Sequence, residues 1–94
     1  MAESRARVQT DRADRYAKQL AEHLGRRSAP VAEPEGVRLV LTSGSCLMVA
    51  EADHLLLIAS AADADALGAV EEVVSRHLER MGRRDELAVA WVRS

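Results

Sequence analysis

Three residues in this sequence combine side chains suited to metal or nucleophile chemistry with positions inside its regular elements: His23, Cys46 and His77. Helical periodicity places His23 beside Leu20 and Leu24, puts His77 at the margin of an apolar stripe, and leaves Cys46 on an inward strand position. Their convergence would supply ligands for zinc, iron or haem, although such a site takes three or four ligands and these separations match no known ligand spacing. Metal or haem binding is therefore the alternative hypothesis, and the sequence predicts neither a metal nor a cofactor.

No arrangement typical of an enzyme accompanies these residues. The sequence contains no nucleophile with a base and an orienting group, no pair of acids at plausible spacing and no glycine-rich phosphate loop. A nucleophile built from Cys46 and a histidine is disfavoured, because an apolar setting raises the pKa of a thiol. We therefore predict a protein that is not an enzyme.

Composition indicates one small cytoplasmic domain. The chain has 94 residues, a formal net charge of −2 and a single cysteine, which excludes an internal disulfide and fits a reducing compartment. The negative balance gives no long-range attraction to nucleic acid or anionic membrane, and the strands lack the aromatic residues on which RNA bases stack. No segment has the length of a membrane span or the apolar region of a signal peptide.

Apolar residues at helical spacing predict two amphipathic helices. Thr10 is placed to cap the first helix and Gly25 to end it. Asp63 and Gly82 take the same roles for the second helix. Both helices carry one apolar stripe, so both are expected to pack on a common partner surface.

The remaining segments read as strands. A short strand is predicted over Ala6–Gln9 and a last strand over ELAVAWVRS, while turn-forming dipeptides divide residues 30–60 into four strands. Pro30 and Pro34 make the first of these four an edge strand. The order β-α-β-β-β-β-α-β predicts a two-layer α+β sandwich over residues 1–94, with both helices on one face of a mainly antiparallel sheet.

Apolar residues occupy both faces of this predicted sheet. In SCLMVAEADHLLLIAS, from Ser45 to Ser60, they occur at odd and even positions alike, a pattern typical of strands covered on both sides. Two helices cover one face, so the other is predicted to pack on another molecule, in a homodimer or a hetero-complex. The alternative is that valine and isoleucine are good strand formers and the patch is tolerated. The predicted interface consists of Val40, Leu47, Val49, Leu56, Ile58 and Val92.

Two basic pairs each follow a glycine that ends a helix. They are Arg26 with Arg27 and Arg83 with Arg84. Cations at these positions complement the helix dipole and need no ligand. If packing brings the two pairs together, their guanidinium groups could instead receive an acidic protein surface or a carboxylate ligand.

Short blocks along the chain occur in a specific combination: ARVxT at residues 6–10, RYxxQLxxH at 15–23, GxC at 44–46, ADA at 62–64, HLER at 77–80 and RxELxVxWxR at 84–93. Together they resemble a bacterial family known as domain of unknown function 2218. The resemblance implies a small stand-alone protein with a TATA-binding-protein-like α+β fold and no established activity. Members of that family often lie beside, or are joined to, siderophore-interacting flavin-dependent ferric reductases, which implies an accessory role in iron acquisition and such a reductase as a partner.

The leading hypothesis is therefore a small cytoplasmic, non-enzymatic interaction protein, with an accessory role in iron or siderophore metabolism implied by the family alone. It is expected to bind a second copy of itself or a protein partner, and neither nucleic acid nor membrane.

Overall fold

The computed structural model describes residues 1–24 and 31–94 of the chain. Within these residues the elements are β1 (Ala2–Gln9), α1 (Ala13–Leu24), β2 (Val31–Ala32), β3 (Val37–Val40), β4 (Gly44–Ala50), β5 (His54–Ala61), α2 (Ala64–Met81), a 3₁₀ turn (Arg83–Asp85) and β6 (Val92–Arg93). The six strands of this described part form one antiparallel sheet in the spatial order β2-β3-β4-β5-β1-β6. The predicted α+β class and element order are confirmed.

The core lies between one face of the sheet and the two helices of the described part. Alternate residues of the longer strands point into it, as the period of two requires, and in β5 buried and half-buried residues alternate along the whole strand. Both helices present their predicted stripes to this layer and pack against the central strands. The side chains in the core that are at most 1% exposed are Val8, Leu20, Leu39, Cys46, Met48, Leu55, Leu57, Ala59, Leu67, Val70, Val74 and Leu78.

The two ends of α2 are capped as predicted. The Asp63 carboxylate accepts a hydrogen bond from the Ala66 backbone N–H at 2.8 Å, and the Gly82 N–H donates to the Leu78 carbonyl at 2.9 Å. Gly82 has a φ of −96°, so left-handed backbone is not the reason for a glycine there. The reason is space, because a Cβ at this position would lie 2.2 Å from Cδ1 of Leu87.

α1 begins later than the predicted cap. The Thr10 hydroxyl accepts from the Arg12 N–H at 3.0 Å, and the first helical hydrogen bond runs from the Tyr16 N–H to the Arg12 carbonyl at 3.1 Å. Thr10 therefore closes the turn before the helix instead of capping it. Gly25, the predicted end of α1, lies outside the described residues.

The predicted last strand is largely wrong. Within the described residues, pairing with β1 is confined to Val92 and Arg93, which face Arg5 and Ser4. The preceding segment is held by side chains of α2 instead: the Val89 N–H donates to Glu79 Oε2 at 3.0 Å, and Trp91 Nε1 donates to Ser75 Oγ at 2.7 Å. At the end of the segment Arg93 forms an ion pair with Glu71 at 2.9 Å.

β1 is longer than predicted. It starts at Ala2 and pairs with β5 from Ala2–Ala61 to Gln9–His54. The extension includes Ser4, which is completely buried, and the exposed Arg5 continues the alternation seen at Arg7. The sequence did not predict this part of the strand, because the prediction depends on the alternation of hydrophobic residues and Glu3, Ser4 and Arg5 are polar.

No helix of the described part combines the length and apolar character needed to cross a membrane.

One hydrogen bond connects α1 to the turn after α2. The Tyr16 hydroxyl donates to Oδ2 of Asp85, and Arg12 lies 3.9 Å from the same carboxylate. This hydrogen bond, with burial of the ring and the negative charge of Asp85, raises the pKa of the Tyr16 phenol above its ordinary 10.0.

The tyrosine makes a direct test possible because the chain contains a single one. The stabilisation by the protonated phenol is complete below the ordinary pKa and is lost as the pH rises through the raised one. We expect Asp85→Asn to lower the phenol pKa towards its ordinary value, measured by the ultraviolet absorbance of tyrosinate in the folded protein. An unchanged titration would show that the Asp85 contact does not form.

Two glycines of the α2 region should respond in opposite ways to alanine. Gly82→Ala forces Leu87 to move and should lower the free energy of unfolding by about 1–3 kcal/mol. Gly68→Ala, inside α2, meets its nearest atom, an Arg93 guanidinium nitrogen, at 3.5 Å. It should raise stability by roughly 0.5–1 kcal/mol through helix propensity. Urea denaturation measures both, and equal effects of the two substitutions would contradict the close approach at Gly82.

Candidate functional site

The face of the sheet opposite the core carries an apolar block at its centre. The register places Leu47 beside Ile58 and Val49 beside Leu56, on the two neighbouring strands β4 and β5. These four residues alternate with the buried residues of the same strands, so the predicted assignment of the two faces is correct. Within the described part, the helices pack on the other face and leave this block uncovered.

Arginines frame this block on both sides. Arg5 and Arg7 of β1 pair with Ile58 and Leu56, and Arg38 of β3 pairs with Leu47. Leu47 is only 7% exposed although it lies on the outer face, so the neighbouring side chains shield it. The apolar block is therefore less open than the sequence pattern alone indicated. We call the block and its frame the outer face: Leu47, Val49, Leu56, Ile58, Arg5, Arg7 and Arg38.

The other predicted interface residues lie at the margins of the outer face. Val40, at the end of β3, is 43% exposed, and Val92, in β6, is 72% exposed. Val31, which the sequence did not single out, pairs with Arg38 and is 46% exposed. The outer face thus has buried or half-buried apolar side chains at its centre and exposed valines at three points of its edge.

The charges on the outer face are mostly paired. Arg38 binds both carboxylate oxygens of Glu33 and donates to Ser45 Oγ at 3.0 Å. This contact lowers the pKa of the Glu33 carboxyl. Arg5 lies 3.7 Å from Glu3. The face therefore presents both signs of charge around an apolar centre.

On the helix side a cleft of about 680 Å³ opens between α1, α2 and the turn from β3 to β4. The turn is closed by hydrogen bonds between Leu41 and Gly44, at 2.7 and 3.3 Å. The described lining is mostly aliphatic, with two hydroxyls and two imidazoles: Leu24, Val40, Leu41, Thr42, Ser43, Ala69, Val70, Val73, His23 and His77.

Two of the three chemically active residues predicted from the sequence meet at this cleft. The ring centroids of His23 on α1 and His77 on α2 are 5.1 Å apart, with the planes tilted by 59°. The Nδ1 atom of His77 lies 2.8 Å from the Val73 carbonyl oxygen, one helical turn earlier. A carbonyl can only accept, so the proton of a neutral His77 is on Nδ1 and Nε2 keeps its lone pair.

Cys46 does not join the histidines. Its side chain is completely buried in the core below the helices, and it does not contribute to the described lining of the cleft. Burial raises the pKa of the Cys46 thiol to about 12. A site made of His23, Cys46 and His77 together is therefore not formed in this structure.

Among the residues that the structure describes, no group of three or more His, Cys, Asp or Glu side chains is placed to hold a metal ion.

Of the two basic pairs predicted to receive an acidic partner, the structure describes one. Arg83 and Arg84 are exposed in the 3₁₀ turn after α2, where they precede Asp85. Arg26 and Arg27 lie outside the described residues, so the convergence of the two pairs stays a prediction.

The buried cysteine yields a simple prediction. Because the thiol is both inaccessible and protonated, a disulfide reagent at neutral pH should leave Cys46 of the folded protein unmodified. Full reaction should follow addition of denaturant. Rapid stoichiometric labelling of the folded protein, followed by absorbance, would contradict this placement of Cys46.

Comparison with known proteins agrees with this architecture. The solved NMR structure of PA4090 from Pseudomonas aeruginosa superposes with a TM-score of 0.79 at 33% sequence identity, covering 98% of this chain and 96% of that chain. No curated protein matches the chain. A family model described as an uncharacterized protein conserved in bacteria matches residues 5–92. The chain therefore belongs to the bacterial family of domain of unknown function 2218.

Proposed function

We propose that this protein is a non-enzymatic interaction module whose binding surface is the outer face, and that a second copy of the chain occupies it. The observation that carries the proposal is the apolar block of Leu47, Val49, Leu56 and Ile58 on the two central strands. Clustered apolar side chains at the centre of a sheet face differ from scattered surface residues, which need no explanation.

The residue types around the block suit a protein interface. Arginine is enriched in such interfaces and lysine is depleted. The outer face carries Arg5, Arg7 and Arg38, whereas Lys18, the single lysine of the chain, lies on α1. Long arginine stems can shield the block in the free protein and move aside or pack with it when a partner binds.

Charge and area favour a second copy as the occupant. Because the face carries Glu3 and Glu33 as well as arginines, a two-fold axis can set carboxylates of one copy opposite guanidinium groups of the other. Three of the six strands have seven or eight residues and the other three have four or two. At about 3.4 Å per residue and about 4.8 Å between strands they give a face of about 500 Å² in projection. A standard interface buries about 800 Å² per partner, so the dimer would use the whole face, including Val31, Val40 and Val92.

The state of Cys46 supports the non-enzymatic part of the proposal. A buried thiol with a pKa of about 12 has no accessible thiolate for nucleophilic chemistry at neutral pH. An accessory role in iron or siderophore metabolism, with a ferric reductase as partner, stays a prediction from the family resemblance, as does the cytoplasmic location.

Sedimentation equilibrium over micromolar concentrations tests the dimer. We expect wild-type protein to self-associate, and Leu56→Glu combined with Val49→Lys to give folded monomer, because neither residue faces the helices. The matched control is Val73→Lys, which places a charge on an exposed valine of α2 in the other layer and should leave association unchanged.

Thermal unfolding by circular dichroism accompanies these measurements. A wild type that stays monomeric would overturn the second copy as occupant, and so would a double variant that still dimerises. Loss of association in Val73→Lys as well would place the interface on the helix layer.

A further inference from the structure

We infer that His23 and His77 form a two-histidine site for one divalent transition-metal ion at the cleft, with the remaining coordination positions left to water or to donor atoms of a small molecule bound there. Both histidines lie on the helices and not on the outer face, so the site does not depend on the proposed dimer. Cys46 has no part in it.

The spacing of the imidazole rings fits a shared ion. A zinc ion bonds a histidine nitrogen at about 2.0–2.1 Å, and the ring centroid lies ~1.2 Å beyond the nitrogen. Two such rings at a tetrahedral angle have centroids about 5.2–5.4 Å apart. The observed separation of His23 and His77 is 5.1 Å.

The same distance argues against haem between the rings. Axial imidazoles on opposite sides of a haem iron would hold their centroids about 6.4 Å apart, with the porphyrin between them. The ring centroids of His23 and His77 are closer together than this, at the separation of two rings bound at a bent angle to a single ion.

The hydrogen bond of His77 leaves its Nε2 atom available to bind a metal ion. Histidines that bind metals commonly donate their other ring N–H to a carbonyl or carboxylate, which fixes the tautomer and the ring orientation. The bond from Nδ1 to the Val73 carbonyl does this here and directs the lone pair to Nε2. Imidazole ligands favour the later divalent ions, such as Ni²⁺, Cu²⁺ and Zn²⁺, over Mg²⁺ or Ca²⁺.

Two protein ligands leave a metal ion coordinatively open. The cleft beside the histidines holds about 680 Å³ and offers the hydroxyls of Thr42 and Ser43 among aliphatic side chains. A small molecule with an apolar body and an oxygen donor could therefore bind the ion and fill the cleft at once. The class of ligand that this arrangement suits is a chelating acid or amide with a hydrocarbon part.

Calorimetric titration with Zn²⁺ alone tests the site. We expect one equivalent to bind wild-type protein, and His23→Ala and His77→Ala each to weaken binding at least about tenfold. The double variant should lose little more than either single variant, because a chelated ion depends on both rings. Additive losses, or more than one equivalent, would indicate independent surface histidines and overturn the proposal.

His54 is the matched control. It lies in β5, beside Gln9 on the other face of the sheet, and its Nδ1 atom is 2.7 Å from Asp53 Oδ1. His54→Ala should leave Zn²⁺ binding within about twofold of wild type, and Cys46→Ser should do the same. A loss in either variant comparable to that of His77→Ala would contradict the two-histidine site.

A second measurement avoids substitutions. In the wild type, Zn²⁺ should shift the ring ¹⁵N resonances of His23 and His77 together at one equivalent, while His54 stays unchanged. For His77 the shift should appear at Nε2, with Nδ1 still protonated. Resonances of His23 and His77 that do not respond to Zn²⁺ would overturn the inference even if a variant failed to fold.

Discussion

The eight-residue antiparallel pairing of β1 with β5 determines which side chains meet the helices. Side chains in a strand alternate between faces, so a slip of one residue would move every inward group to the surface. In the observed register, Ala6 and Val8 join Leu55 and Leu57 inside, while the arginines of β1 lie beside the apolar residues of β5 outside. The core and the outer face are thus two results of one register.

Local patterns in the sequence predicted the parts of the fold that depend on neighbours along the chain. The cap at Asp63, the end of α2 at Gly82 and the inward residues of β4 and β5 follow from spacing within single elements. The last strand was mispredicted because Ser75 and Glu79 of the preceding helix, α2, hold its segment by hydrogen bonds. Alternating hydrophobicity carries no information about such polar partners.

The candidate sites, too, were predicted only where they depend on neighbours along the chain. The sequence placed His23 and His77 correctly on their helices, but the distance between two helices depends on how both pack on the sheet. For the outer face, the strand period gave the correct orientation of Leu47 and Ile58. The shielding of Leu47 could not be predicted, because it depends on which residues of the neighbouring strands lie beside it.

The helix layer and the outer face are separated by the thickness of the sheet. A partner on the outer face would leave His23 and His77 accessible, whereas Val40 belongs both to the margin of that face and to the lining of the cleft. The most direct route for an influence of one on the other is the end of β3, because Val40 contributes to both surfaces.

The position of β1 beside β5 also bears on how the chain folds. β4 and β5 form a local hairpin, in which Ala50 pairs with Leu55, whereas β1 pairs Ala2 with Ala61 and must close a long loop. The hairpin can therefore form first and expose, for a time, an unpaired β5 edge with apolar residues on both faces. Chains in that state can pair with one another along the β5 edge and aggregate. Pairing of β1, whose Arg5 and Arg7 point outward, prevents this because it covers the β5 edge with a charged strand.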